Sequence, residues 1–535
     1  MVTYLLLVTS IIFVCVAFGN ISKKLGIPAL LIFIVLGMLF GSNGIFGIEF
    51  GNYVLTEEIC TVALILIMFY GGFGTKWREA KPIASQAVAL STVGVLLTAG
   101  LVGLFCYYVL GFELLEGLLI GSVVSSTDAA SVFSILKSNR LNLKNNTASL
   151  LELESGSNDP VSYMMTLFIL GLMQGKLSGA DMLYMVFAQL FFGISFGVLI
   201  AYAAYRVFKK KRIQSQGTEA AFLLAVALIA YAAPAYFNGN GYLSVYIVGM
   251  ILGNKYLENK VALVHFFDGI TGLMQMLIFF LLGLVSFPYK MPAIAGASVI
   301  IAVFLTIVAR PLAVFTVLKP FGASFNQCLL VSWSGLRGAA SIVFAMIAVN
   351  SVVYANDIIF HLVLVIVLCS IAIQGTLLPL FARKFDMIDD SADVFRTFTD
   401  YTDEIPVQFI KLNIGVGHRW VNRQVKSLIL PPATLFVLLL RGKERILPKG
   451  DTLIQQDDIL VLSAKAVKDR TEFVLTEIPI TKAHEWLGCT LAEIDLETDK
   501  LVIGIKRGEE FVIPNGRTEI LEGDVLLINR VLAED

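Results

Sequence analysis

The sequence predicts an all-α polytopic membrane domain of about thirteen transmembrane helices, followed by a small α+β tail. Three observations carry this prediction. Of 535 residues, 57% are hydrophobic and only 15% charged, against about 25% charged in soluble domains. The deficit is confined to residues 1–385, a series of apolar runs, whereas residues 386–535 have ordinary soluble composition. The second part also repeats itself at a constant offset.

A spanning helix needs about 20 mostly apolar residues. Such runs fall near 3–20, 27–42, 53–72, 83–110, 113–136, 148–174, 181–208, 218–236, 240–254, 261–287, 292–318, 326–350 and 357–382. The first has no basic stretch before it and no small-residue cleavage site after it, so it reads as a span and not a removable leader. Alternate loops carry sixteen lysines and arginines, among them Lys23, Lys76, Lys144, Arg206, Lys255 and Lys319, whereas the opposite loops carry only Lys176 and Lys290. By the positive-inside rule the N-terminus lies outside and the tail in the cytoplasm.

Composition also excludes. A net charge of −1 gives no polyanion signal, so nucleic acid is not an expected partner. The six cysteines are scattered without CxxC spacing, so neither a disulfide framework nor a zinc site is expected. No GxxxxGK[ST] loop is present, so ATP does not drive the chain, and no nucleophile–base set argues for an enzyme.

Three polar constellations break the apolar background: Ser125-Ser126-Thr127-Asp128, then Glu154, Ser155, Asn158 and Asp159, then Arg310 with Arg337. A carboxylate at membrane depth costs about 2.5–3.5 kcal/mol on insertion scales, which argues for a partner or a task. Ser155 and Asp159 are four apart and share one helix face; Glu154 and Asn158 share the adjacent strip. Oxygen donors of this kind suit a hard monovalent cation, here bound at Asp159. A surplus acid calls for a buried base, and pairing Glu154 with Arg310 leaves Asp159 as the acid free to bind a proton or a cation in turn. That competition suffices for exchange: one pH unit is worth about 1.36 kcal/mol, which supports about a tenfold cation gradient. Glu57 and Glu58 are expected at a solvated helix end, and His265 and His361 at the interface.

These residues resemble the monovalent cation:proton antiporter-1 family of the bacterial NhaP type. The resemblance covers about residues 24–382 and includes Gly26-Ile27-Pro28-Ala29-Leu30-Leu31, Ser126-Thr127-Asp128, Glu154-Ser155 with Asn158-Asp159, Arg310-Pro311 and Gly335-Leu336-Arg337-Gly338-Ala339. It implies a dimer in a bacterial plasma membrane, inverted repeats, and two broken helices, the fifth and twelfth spans, crossing at mid-membrane. It also implies elevator-like alternating access. Asp159 would carry the ion, Thr127 and Ser155 would add ligands, and Asn158 would support them. Asp128 and Arg337 would compensate half-helix dipoles, and Glu154 with Arg310 would be structural. Asn158 in place of a second aspartate implies electroneutral one-for-one exchange. Ala129 departs from the proline common after the aspartate, which bears on the backbone of the break.

In the tail, after a linker at 386–404, residues 405–470 and 471–535 align at an offset of 66: His418 with His484, Trp420 with Trp486, Arg441 with Arg507, Asp458 with Asp524. Each copy reads as strand, short helix and further strands. Both resemble the C-terminal lobe of potassium-conductance regulator (RCK, TrkA-C) domains. That likeness implies dimerisation, regulation and a small anionic ligand such as cyclic di-AMP; without GxGxxG, no NAD and no resident cofactor is expected. A regulator tail tilts the expected ion towards K⁺, with Na⁺ second. Two rivals remain: an ion channel, which would need a carbonyl filter such as TVGYG that is missing, and a membrane sensor that signals through the tail.

Overall fold

The computed structural model describes residues 28–389, 407–465 and 474–530 apart from short gaps within them, together with Phe13, Cys15 and Ala17. The rest of the predicted span at 3–20, Gly26-Ile27, Arg140, Lys176, Lys211, Arg212 and the linker from 390 to 404 lie outside the described residues. The chain forms two compact units, residues 1–401 and 402–535.

The first unit is helical: α1 (Ala29–Phe40), α2 (Tyr53–Gly74), α3 (Lys81–Leu110), α4 (Leu114–Val124), α5 (Ala129–Ser138), α6 (Thr147–Met173), α7 (Gly179–Lys209), α8 (Gln216–Tyr236), α9 (Gly241–Gly253), α10 (Lys260–Val285), α11 (Pro288–Phe321), α12 (Phe325–Trp333), α13 (Ala339–Asn350) and α14 (Ile358–Lys384). Among the described residues, seven helices are long and apolar enough to cross a membrane. Two predicted spans are each divided: α4 and α5 flank the unwound residues 125–128, and α12 and α13 flank 334–338.

Small residues set the helix spacing where lipid supplies no hydrophobic drive between helices. A Cβ at Gly72 of α2 would stand 2.9 Å from the Met250 nitrogen of α9, so the two backbones touch there. Wide turns interrupt α3 at Leu90–Gly94, α11 at Leu305–Ala309 and α14 at Ser370–Gly375. Such π-type turns recur at functional sites. The second ends immediately before Arg310, and the third presents Ser370 and Gln374.

The second unit is β-rich. One antiparallel sheet, ordered β1-β4-β2-β3, is built from β1 (Val407–Asn413), β2 (Leu435–Arg441), β3 (Glu444–Ile446) and β4 (Ile459–Lys465). The other, ordered β5-β8-β6-β7, comprises β5 (Val474–Pro479), β6 (Lys500–Arg507), β7 (Glu510–Val512) and β8 (Val525–Arg530). The duplication extends to irregularities: the register slips between Phe436 and Leu438, and again between Val502 and Gly504. The expected short helix is reduced to a 3₁₀ turn at Val425–Ser427 in one copy and to turns in the other. The reason is competition for backbone donors. Val425 and Lys426 donate to the Thr452 and Gly450 carbonyls, and Leu491 and Ala492 to those of Thr518 and Gly516, instead of closing a helix.

The repeated Arg and Asp form one device in both copies. Arg441 Nε and Nη2 donate to the two oxygens of buried Asp458, each at 2.8 Å; Arg507 does the same to Asp524 at 2.9 and 2.7 Å. His418 and His484 each accept a bond from the Trp N–H two residues on, a fold role. Burial pushes the Asp458 carboxyl up, but the Arg441 hydrogen bonds, the Gln455 N–H and the Arg441 charge outweigh it and hold it below the usual range. The Arg507 hydrogen bonds, against burial, hold Asp524 low as well. A depressed carboxyl contributes stability above its unfolded value, about 3.9, and loses it as pH falls through the folded value. The tail should therefore hold its fold down to about pH 5 and lose it below about pH 4, followed by Trp420 and Trp486 fluorescence. Asp458→Asn should cost about 2 kcal/mol at neutral pH and flatten the acid limb; an unchanged acid limb would reject the assignment.

Candidate functional site

The site begins with the broken helix of 113–136. After Val124 the backbone leaves helical geometry, and residues 125–128 are held from three directions. Arg337 Nη1 takes the Ser125 and Ser126 carbonyls at 2.8 and 2.7 Å, at the C-terminal end of α4. The Asp128 N–H donates to the Leu336 carbonyl at 2.8 Å, tying the two breaks together. Ser155 Oγ of α6 donates to the Thr127 carbonyl at 2.5 Å, and Asn158 Nδ2 to Thr127 Oγ1 at 2.5 Å.

Asp128 occupies the N-terminal side of the break. It accepts from the Ser131 N–H at 3.2 Å and from the Ser131 hydroxyl, which caps α5. Its carboxyl also lies against Gly338, the residue immediately before α13, so closely that any Cβ there would collide with it. One negative charge thus serves two helix N-termini, and the Arg337 cation serves the opposite, carbonyl-rich end. Arg337 is buried, and its own N–H is held by Ser370 Oγ at 3.0 Å, which bonds Gln374 Oε1 at 2.5 Å.

α6 carries the remaining groups. Glu154 turns away from the break and meets Arg310, with Nη2 at 2.6 and 2.8 Å from its two oxygens. Both side chains are at most 3% exposed. Gly335 makes room for them, since a Cβ there would stand 2.8 Å from Arg310 Nε. Asp159 lies on the other face, buried, and accepts from Ser126 Oγ.

A cavity of about 380 Å³ is lined in part by Asp159. One face of α6 lines it at Ala148, Glu152, Ser155, Gly156 and Asp159, and one face of α10 at Asp268, Thr271, Gly272, Gln275 and Phe279. Twelve residues separate Asp159 from Thr147 at the start of α6, about 18 Å at helical rise. In a helix that crosses a hydrocarbon core about 30 Å thick from its first residue, that height would be near the middle. Thr127, Ser126 and Asp128 also line the cavity; Glu154, Asn158, Arg310 and Arg337 do not. Among the described lining residues are four carboxylates and no lysine or arginine, so the space favours cations.

Beyond Asp159 the route is filled. Asn240 Nδ2 donates to the Pro160 carbonyl at 2.8 Å. Tyr163, one turn on, packs edge-to-face on Tyr242 at 5.0 Å, and Tyr231 packs on the same ring at 5.0 Å. The geometry therefore places a buried carboxylate and the hydroxyl-bearing residues Ser126, Thr127 and Ser155 on one cavity. That arrangement can hold a partly dehydrated cation or a proton and exclude the other. Two placements differ from the sequence reading. His361 is buried, not interfacial, because Nε2 accepts the Phe287 N–H at 2.9 Å. Asp268, Thr271 and Gln275 join the site only in the structure; their sequence signal is an acid and an amide seven apart in an otherwise apolar span.

A family model described as sodium/hydrogen exchanger, transmembrane, matches residues 9–384, and one described as TrkA-C domain matches residues 475–528. The chain is 32% identical over 458 residues to the K(+)/H(+) antiporter NhaP of Alkalimonas amylolytica, covering 83% of this chain and 78% of that one. It is 31% identical over 476 residues to the K(+)/H(+) antiporter NhaP2 of a Shewanella strain, MR-4, covering 88% and 82%. The sodium proton antiporter MjNhaP1 from Methanocaldococcus jannaschii superposes with a TM-score of 0.62 at 22% identity, over 71% of this chain and 99% of that one.

Proposed function

The chain belongs to the sodium/hydrogen exchanger family and is a cation:proton antiporter, a secondary transporter and not an enzyme; we propose that it exchanges K⁺ for H⁺, with Na⁺ second, at Asp159. The observation that carries this reading is that buried Asp159 lines an acidic cavity, while Glu154 is neutralised by Arg310. K⁺ is preferred because relatives at 32% and 31% identity are named K⁺/H⁺ antiporters.

In this proposal Asp159 alternates between proton and cation, Ser155 and Thr127 contribute oxygens, and Asn158 holds Thr127. Asp128 and Arg337 neutralise the helix ends, and Glu154–Arg310 is structural. With a single carrying carboxylate, exchange is one for one and electroneutral. The protein sits in a bacterial plasma membrane as thirteen spans in two inverted repeats, in contact with lipid, with its N-terminus outside and its tail in the cytoplasm. Two copies pair, and the two repeated units of the tail act as regulatory lobes that take a small anionic ligand, cyclic di-AMP or similar. The shared strand order and the paired Arg–Asp clamps support two copies of one unit.

The test is purified protein in liposomes with an imposed pH gradient. Added K⁺ should dissipate the gradient faster than Na⁺ or Li⁺, and clamping the voltage with an ionophore should leave the rate unchanged. No cation-dependent dissipation rejects antiport, acceleration under the clamp rejects electroneutrality, and unitary currents would favour a channel.

A further inference from the structure

We propose that the α10 wall of the cavity carries a second, outer site for a monovalent cation, formed by Asp268, Thr271 and Gln275, which loads Asp159. The proposal deepens the antiport reading and rests on it. The three residues are spaced three and four apart, so they lie on one helix face, and that face lines the same cavity as Ser155 and Asp159. Asp268 is exposed, and the Tyr70 hydroxyl donates to its Oδ1 at 3.0 Å, which fixes the carboxylate's direction. It stands eight residues into α10, about 12 Å along the helix, against about 18 Å for Asp159 along α6.

A second observation is independent of the acid. Thr271 is 7% exposed, and its hydroxyl has no hydrogen-bond partner. Thr98 and Thr166, buried within helices of the same unit, return their hydroxyls to the carbonyl four back, Thr98 to Gly94 at 2.7 Å and Thr166 to Ser162 at 2.9 Å. Leaving a buried hydroxyl unpaired costs about 1–3 kcal/mol, so an orphan one turn from a carboxylate points to a ligand between them.

The chemistry selects the ligand. One carboxylate already engaged by a phenol, with a hydroxyl and an amide, supplies few anionic oxygens. Ca²⁺ takes about six to eight oxygens, and Mg²⁺ demands near-ideal octahedral geometry. A monovalent ion retaining part of its water fits better, and weak binding lets it leave again. Inward of this site the Tyr246 ring lies against Gly156, where a Cβ would strike it, midway between Glu152 and Asp159 on the α6 face. An ion moving from the outer site to Asp159 passes that ring.

The experiment uses the full-length protein. In liposomes, Asp268→Asn should raise the half-saturating K⁺ concentration about tenfold and Thr271→Val about threefold, with maximal rate within about twofold and the pH profile unmoved. In detergent, radioactive rubidium should still bind Asp159→Asn and be lost from Asp159→Asn/Asp268→Asn. Thr271→Val is nearly isosteric and uncharged, so it tests the site even if Asp268→Asn folds poorly. If the acid only steers ions, choline chloride will abolish the Asp268→Asn effect and Thr271→Val will match wild type; that result overturns the proposal. Rubidium binding to Asp159→Asn that survives loss of Asp268 also overturns it. Absent exchange in the wild type would instead reject the antiport reading, leaving the rubidium result to decide the outer site by itself.

Discussion

Asp159→Asn should reduce K⁺-dependent dissipation of a pH gradient to that of protein-free liposomes, while the purified protein melts at or above the wild-type temperature. The two halves of this expectation have one cause. Asn is nearly isosteric with Asp, and its amide oxygen still accepts from Ser126 Oγ, so the break keeps its Ser155, Asn158 and Arg337 contacts. What disappears is the ability to lose a proton. A carboxylate at this depth costs about 2.5–3.5 kcal/mol on insertion scales, so its neutral replacement should relieve the fold, not strain it. Lost activity with undiminished stability separates a carrier from a structural residue. Exchange above background in Asp159→Asn would sink the assignment.

The same contrast explains what was legible in the sequence. Ser155 and Asp159 share a face through helical spacing alone, and they line one cavity wall. Glu154 and Arg310, 156 residues apart, are matched by charge balance, because an apolar interior tolerates few unpaired ions. The repeat at 66 appears in the structure as two sheets with the same strand order. The three-residue β3 and β7 are defined by pairing with β2 and β6 and not by composition. Asp268, Thr271 and Gln275 were equally visible as letters. Their meaning depends on α10 and α6 lining one cavity, a tertiary fact that no local pattern encodes. His361 failed for the same reason: proximity to a span end suggests the interface, but the Phe287 N–H gives the ring an interior partner.

Glu154→Gln should be the most destabilising single change in the membrane domain. Arg310 Nη2 meets both Glu154 oxygens within 2.8 Å, and the two side chains are at most 3% exposed. Removing one partner of such a pair leaves an uncompensated buried charge, at a cost of about 3–5 kcal/mol. Gly335 beside Arg310 offers no side chain that could take over. The variant should therefore accumulate poorly and melt well below wild type. Replacing both, Glu154→Gln with Arg310→Gln, removes the stranded cation and should recover most of the loss, because a neutral amide pair avoids the desolvation of two ions. That double variant also decides what Glu154 does. If the pair only braces α6 against α11, the recovered protein exchanges K⁺ for H⁺ with Asp159 still essential. If it folds but does not exchange, Glu154 takes part in ion movement and Asp159 is not the lone carrier. A Glu154→Gln single variant as stable as wild type would show that Arg310 is satisfied elsewhere and that the pair does not hold the fold.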